Sequence, residues 1–172
     1  MRASGWLRLS AGILSLAVAA ARAPAQQTAL GLFHGQTDVG QVTKRGSVTY
    51  DAVRERYTIA GSGANMWFDR DDFHFVWKRV QGNFILTTRA QFNGPGVEPH
   101  RKLGWSVRSS LASGSPHVTA AVHGDGLVAL QFRRTAGGPT EEVRSPIRDA
   151  DIVQLEREGT SYTCPWPASA TA

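Results

Sequence analysis

His117-Val118-Thr119-Ala120-Ala121-Val122-His123-Gly124-Asp125-Gly126-Leu127-Val128-Ala129-Leu130-Gln131-Phe132-Arg133 is two alternating runs joined by a glycine-rich turn. A period of two places successive side chains on opposite faces of a strand. Asp-Gly between two such runs is a strong signal for an antiparallel hairpin. We read strands over 117–122 and 127–133. Val128, Leu130 and Phe132 then face a core, with Ala129, Gln131 and Arg133 on the other side.

The same pattern extends in both directions. Residues 47–51 and 56–60 flank a short polar loop and predict a second hairpin. Residues 73–80 put Phe73, Phe75 and Trp77 on one face and His74, Val76 and Lys78 on the other. Residues 84–92 alternate after a turn at Gln81-Gly82-Asn83, and residues 102–109 alternate with Leu103, Trp105 and Val107 inward. Residues 152–157 and 160–163 predict a last hairpin around Gly159. No segment shows capped helical periodicity. Short strands separated by turn residues, with 18 Gly and 8 Pro in 172 residues, predict an all-β sandwich of one domain.

Both ends depart from this pattern. Residues 1–25 read as a signal peptide: Arg2 and Arg8 open it, 9–21 are apolar, and Ala23-Pro24-Ala25 offers small residues for cleavage. The apolar run is shorter than the roughly 20 residues of a membrane span. The expected setting is extracytoplasmic, periplasmic or secreted, with no membrane span after cleavage. Removing Arg2, Arg8 and Arg22 lowers the formal charge from +5 to +2, which no longer suggests nucleic acid. The sandwich domain is then 26–163. Residues 164–172 form an aberrant tail, because Pro165 and Pro167 interrupt a strand just begun. Codons that encode this tail also read, one nucleotide earlier, as Met-Ser-Val-Ala-Arg-Phe-Gly-Asp-Gly, a sensible strand and turn. A frameshift is therefore expected near codon 163, and sequencing the gene there tests it.

Several motifs occur in a familiar order. They are Tyr57-Thr58-Ile59-Ala60-Gly61-Ser62-Gly63-Ala64-Asn65-Met66-Trp67, Asp72-Phe73-His74-Phe75-Val76-Trp77-Lys78 and Lys102-Leu103-Gly104-Trp105-Ser106-Val107-Arg108-Ser109-Ser110-Leu111. The chain resembles the concanavalin A-like β-sandwich family of unknown function named after regulation of enolase. His123-Gly124-Asp125-Gly126 and Leu130-Gln131-Phe132-Arg133 resemble the subgroup found with TolB-like propellers, whose proteins often carry "biopolymer transporter" names. The resemblance spans roughly residues 31–163. It implies a two-sheet jelly roll that continues past Cys164, so that this chain would lack its last strands. It implies no catalytic residues.

The remaining signals for chemistry are sparse. Asp69-Arg70-Asp71-Asp72 offers carboxylates for calcium but lacks the glycine and terminal glutamate of an EF-hand loop, and reads as a solvated turn. No cofactor is expected. Glu141, Glu142, Glu156 and Glu158 read as loop or surface, so the carboxylate pair of a glycoside hydrolase is not evident. The five histidines lack metal-ligand spacing, and His74 reads as hydrogen-bonded. Cys164 is assigned no role. Trp77 and Trp105 alternate onto core faces, whereas Trp67 beside a glycine-rich turn is free to stack on a sugar ring. If one sheet face forms a groove, His74, Lys102, Arg108, Gln131 and Arg133 line it. We therefore expect a non-catalytic module binding a glycan or another cell-envelope ligand. The alternative is an interaction module accessory to a TolB-like envelope protein.

Overall fold

The structure is a computed structural model and describes residues 30–165. The expected leader (1–25) and most of the expected aberrant tail (166–172) lie outside the described residues. The described residues form thirteen strands, all paired antiparallel, and no helix long and apolar enough to cross a membrane. In chain order they are β1 (Gly35–Val39), β2 (Ser47–Asp51), β3 (Arg56–Ala60), β4 (Met66–Trp67), β5 (Arg70–Asp71), β6 (Phe73–Trp77) and β7 (Phe84–Arg89). Then come β8 (Lys102–Arg108), β9 (His117–His123), β10 (Val128–Arg133), β11 (Thr140–Arg144), β12 (Ile152–Glu158) and β13 (Ser161–Thr163).

The expected 117–133 hairpin is the centre of the fold. It forms β9 and β10, the inner pair of a four-stranded sheet ordered β11-β10-β9-β8. Val128 lies opposite Val122, Gln131 opposite Thr119 and Arg133 opposite His117. Gly126 closes the turn at φ 85°, and a Cβ there would strike the Asp149 carboxylate. Only glycine takes that conformation at no steric cost.

The second layer is the β13-β12-β7 sheet. Val153 and Leu155 on β12 are fully buried with Ala120, Val122 and Val128. Trp105, Leu103 and Leu130 pack around this cluster, as their alternation predicts. Burying each such side chain contributes about 1.5–3 kcal/mol, so this packing holds the two sheets together. Cys164 joins the cluster edge and its thiol donates to the Gln154 carbonyl at 2.7 Å. Burial pushes that thiol up to about 12, which makes it unreactive.

Three expectations are corrected. Gln131 and Arg133, placed opposite the core, are 2% and 1% exposed, because the β4–β5 hairpin covers their face. Four strands were not anticipated, the short β4–β5 pair among them. β1 pairs with β6, and β11 forms one edge of the four-stranded sheet. The Phe73, Phe75 and Trp77 face is only half buried, while Val76 on the other face is buried.

That half-buried face borders a wide cleft of about 2620 Å³, lined in part by Phe33, Tyr57, Phe75, Trp77, Leu86 and Trp105. The indole N–H groups of Trp77 and Trp105 are buried without an acceptor. Apolar surface on this scale attracts apolar partners. The folded chain should therefore enhance the fluorescence of a hydrophobic dye while keeping the near-ultraviolet dichroism of fixed aromatics. An unchanged dye signal would mean that the cleft is closed in solution.

Candidate functional site

The site is built on the polar face of the β11-β10-β9-β8 sheet. The β4–β5 hairpin lies against this face, and its main fastening is at Asp71. Arg133 Nη2 donates to Asp71 Oδ1 at 2.8 Å and Arg133 Nη1 to Asp71 Oδ2 at 2.9 Å. This two-pronged match of guanidinium to carboxylate is the strong form of the ion pair. Further donations from Arg133 reach the Gly138, Ser113, Ser115 and Phe68 carbonyls and the Thr140 hydroxyl. Arg108 Nη1 reaches Asp71 Oδ2 at 2.6 Å. Burial acts to raise the Asp71 carboxyl, but the bonds from Arg133 and Arg108 outweigh it and hold it below the usual carboxylate range.

The hairpin turn is Phe68-Asp69. Phe68 adopts φ 52°, uncommon for a bulky side chain, and its ring is exposed. Its carbonyl is held by Arg133 and by the Thr140 hydroxyl at 2.9 Å. These bonds keep the strained turn in place and fix the neighbouring Trp67.

Beside this fastening, Asn65, Trp67, His100, Lys102, Gln131 and Glu142 line a pocket of about 160 Å³, with His123, Leu127 and Arg144 completing it. Its polar groups form a chain with fixed directions. His123 Nδ1 meets the Leu127 carbonyl at 3.0 Å, so that nitrogen carries the proton and Nε2 is an acceptor. Gln131 Nε2 then donates to His123 Nε2 at 3.3 Å and to Glu142 Oε2 at 2.8 Å. The amide cannot turn over, because its oxygen would face two acceptors. Gln131 Oε1 is left buried and accepts nothing. His123 and Gln131 reach each other across the row Gly104, Ala121, Ala129, whose small side chains leave the space.

Charges in the pocket are partly neutralised. Arg144 Nε donates to Glu142 Oε1 at 2.6 Å. Burial would raise the Glu142 carboxyl, but Arg144 and Gln131 hold it below its usual range. The Lys102 ammonium donates to Asn65 Oδ1, and burial lowers it below the ordinary lysine value.

Of the six expected binding residues, Trp67, Lys102 and Gln131 meet in this pocket. Arg108 and Arg133 share the sheet face but are sealed against Asp71, with side chains 1% and 0% exposed. Their guanidinium groups are engaged by Asp71 and fasten the hairpin. His74 lies elsewhere, on β6, with Nδ1 2.8 Å from Asp38 Oδ1 and Nε2 3.1 Å from Gln36 Oε1. The bond from His74, with that from the Gly46 N–H, holds the Asp38 carboxyl low. The expected solvated turn at 69–72 is also corrected. Asp71 is fully buried, and Asp72 accepts from the Gln41 N–H and from Arg70. Guanidinium groups already neutralise these carboxylates, so they do not fit a calcium ion, and no metal-holding cluster occurs among the described residues. Asn65, His123, Glu142 and Arg144 were missed. His123 and Glu142 share register with Lys102 and Gln131, but seeing this requires knowing that β11 is a strand. Comparison with protein-family models, curated proteins and solved structures gives no match for this chain.

His117 provides the test of the fastening. It is buried, with Nδ1 3.0 Å from the Thr119 hydroxyl and Nε2 3.8 Å from Asp71 Oδ1. Desolvation lowers it from 6.5 to about 4, against the pull of Asp71. The unfolded chain therefore binds this proton before the folded one, and stability falls as pH drops from about 6.5 through 4. Urea unfolding at pH 7 and pH 4.5 should show a loss of about 2 kcal/mol that His117→Leu removes. An identical pH dependence in both proteins would contradict a neutral, buried His117.

Proposed function

We propose that this domain is a non-catalytic binding module that takes a glycan or another cell-envelope ligand in the pocket walled by Trp67, Lys102 and Gln131. The observation that carries this reading is the buried, unpartnered Gln131 Oε1 in a concave polar site beside an indole. A buried acceptor without a donor is costly, by about 1–3 kcal/mol, and a ligand hydroxyl relieves that cost. An indole plane offers the apolar contact that a sugar ring face requires. A few directed polar groups around an apolar wall are what a small-ligand site needs. Glu142 is engaged by Arg144 and Gln131, which supports binding rather than the paired-carboxylate cleavage of a glycosidase. The setting in this proposal is extracytoplasmic.

At the finer level, we read the sandwich as the concanavalin A-like jelly roll. Two antiparallel sheets packed through Val153 and Leu155 support that reading, and a wide cleft is lined by Phe75 and Trp77. The same cleft favours a second function, an interaction module for a TolB-like envelope protein, since a protein partner would cover its aromatic wall.

A glycan array followed by calorimetry tests the first reading. Saccharide binding should be lost, by about tenfold or more, in Trp67→Ala. Absence of binding to any glycan, with a protein partner captured from envelope extracts and lost in Trp77→Ala, would replace it with the second.

A further inference from the structure

We propose that the saccharide unit taken by this pocket carries an anionic substituent, and that Lys102 is the group that selects it. The inference rests on the binding reading above and adds the chemistry of the ligand.

The pocket volume, about 160 Å³, is room for a single ring. An apolar cavity of about 150 Å³ holds a single benzene. The wall then divides into two kinds of group. On one side, Gln131 Oε1 asks for a hydroxyl donor, in a direction fixed by the His123 tautomer and by Glu142. On the other side stands the Lys102 ammonium, which has three N–H donors. Its hydrogen-bond acceptor among the described residues is Asn65 Oδ1, a neutral amide oxygen.

No carboxylate closes an ion pair with Lys102 among the described residues. Glu142 has both oxygens occupied, one by Arg144 and one by Gln131. Asp71 is enclosed by Arg108 and Arg133. Glu98 accepts from the His100 N–H on an exposed loop. Arg144 and Glu142 cancel, so Lys102 leaves the pocket with one net positive charge. Lys102 is half-buried, its ammonium donates to a neutral acceptor, and an anion at that point supplies a charge-assisted hydrogen bond. A ring with hydroxyl donors on one side and an anion on the other satisfies both walls. A uronate and a sugar phosphate share that chemistry.

Calorimetry on the full chain distinguishes the possibilities, with galactose, galacturonate and glucose 6-phosphate as probes. Galacturonate should bind at least tenfold more tightly than galactose. Lys102→Met should bring the ratio of galacturonate to galactose affinity down to about one, and Lys102→Arg should preserve it. Tighter binding of galacturonate than of glucose 6-phosphate identifies a carboxylate, and the reverse identifies a phosphate; either supports the anion. Should Lys102→Met lose its native dichroism, the ionic-strength dependence of the wild-type preference decides instead. The preference should shrink as salt rises. Equal affinity for galactose and galacturonate overturns this inference and leaves the glycan reading standing. Binding of none of the three, together with an empty glycan array, overturns both.

Discussion

Arg133 and Asp71, 62 residues apart in the chain, meet through two parallel hydrogen bonds at one end of the polar sheet face. The placement of the β4–β5 hairpin over this face depends on that contact. Without it, a full guanidinium charge would be buried on β10, and Arg108 would lose its carboxylate as well. Breaking a buried pair by removing one partner costs about 3–5 kcal/mol, because the other charge is left unsolvated. Backbone carbonyls from 113, 115 and 138 complete the guanidinium shell, so the loops between strands are tied to the same point. The pair therefore works as a positional device. It brings a two-residue strand pair, too short to be stable alone, onto the sheet and sets Trp67 at the pocket wall.

The two faces of the four-stranded sheet are held by different physics. One face is apolar and packs on β12, where burial of Val153 and Leu155 needs no particular geometry. The other is polar and needs a defined partner for each donor and acceptor. Two atoms of this face lack one among the described residues, His117 Nε2 beside Asp71 and Gln131 Oε1, and the second lies on a side chain that lines the pocket. On the far side, the aromatic face of β6 meets the cleft rather than a second packed layer.

Much of the fold was legible because alternation is a local property. The hairpins 47–60 and 117–133 and the strands starting at Phe73, Phe84 and Lys102 all carry it, and all form. β1 was not legible, since Gly35-Gln36-Thr37-Asp38-Val39 has one aliphatic side chain and no alternation. β11 was hidden for a related reason. It is an edge strand of Thr140-Glu141-Glu142-Val143-Arg144 with Val143 exposed, and charged edges protect sheets from further pairing. For the site, alternation correctly grouped Lys102 and Gln131, yet it could not tell an open polar face from one covered by a distant hairpin. That is why Arg108 and Arg133 were grouped with Lys102 and Gln131, although Asp71 encloses them. It also could not assign His74 to a different sheet, since parity names a face and not the sheet that owns it.

A double-mutant cycle on Asp71→Asn and Arg133→Met, followed by thermal unfolding and by Trp67 fluorescence, tests the central claim most directly. Each single change should destabilise strongly and shift Trp67 emission toward the solvent-exposed range. The double variant should be less destabilised than the sum of the two by at least about 2 kcal/mol, as expected for residues in one buried network. Additive losses, with Trp67 emission unchanged in both single variants, would mean that the pair does not hold the hairpin and that the pocket is positioned by something else.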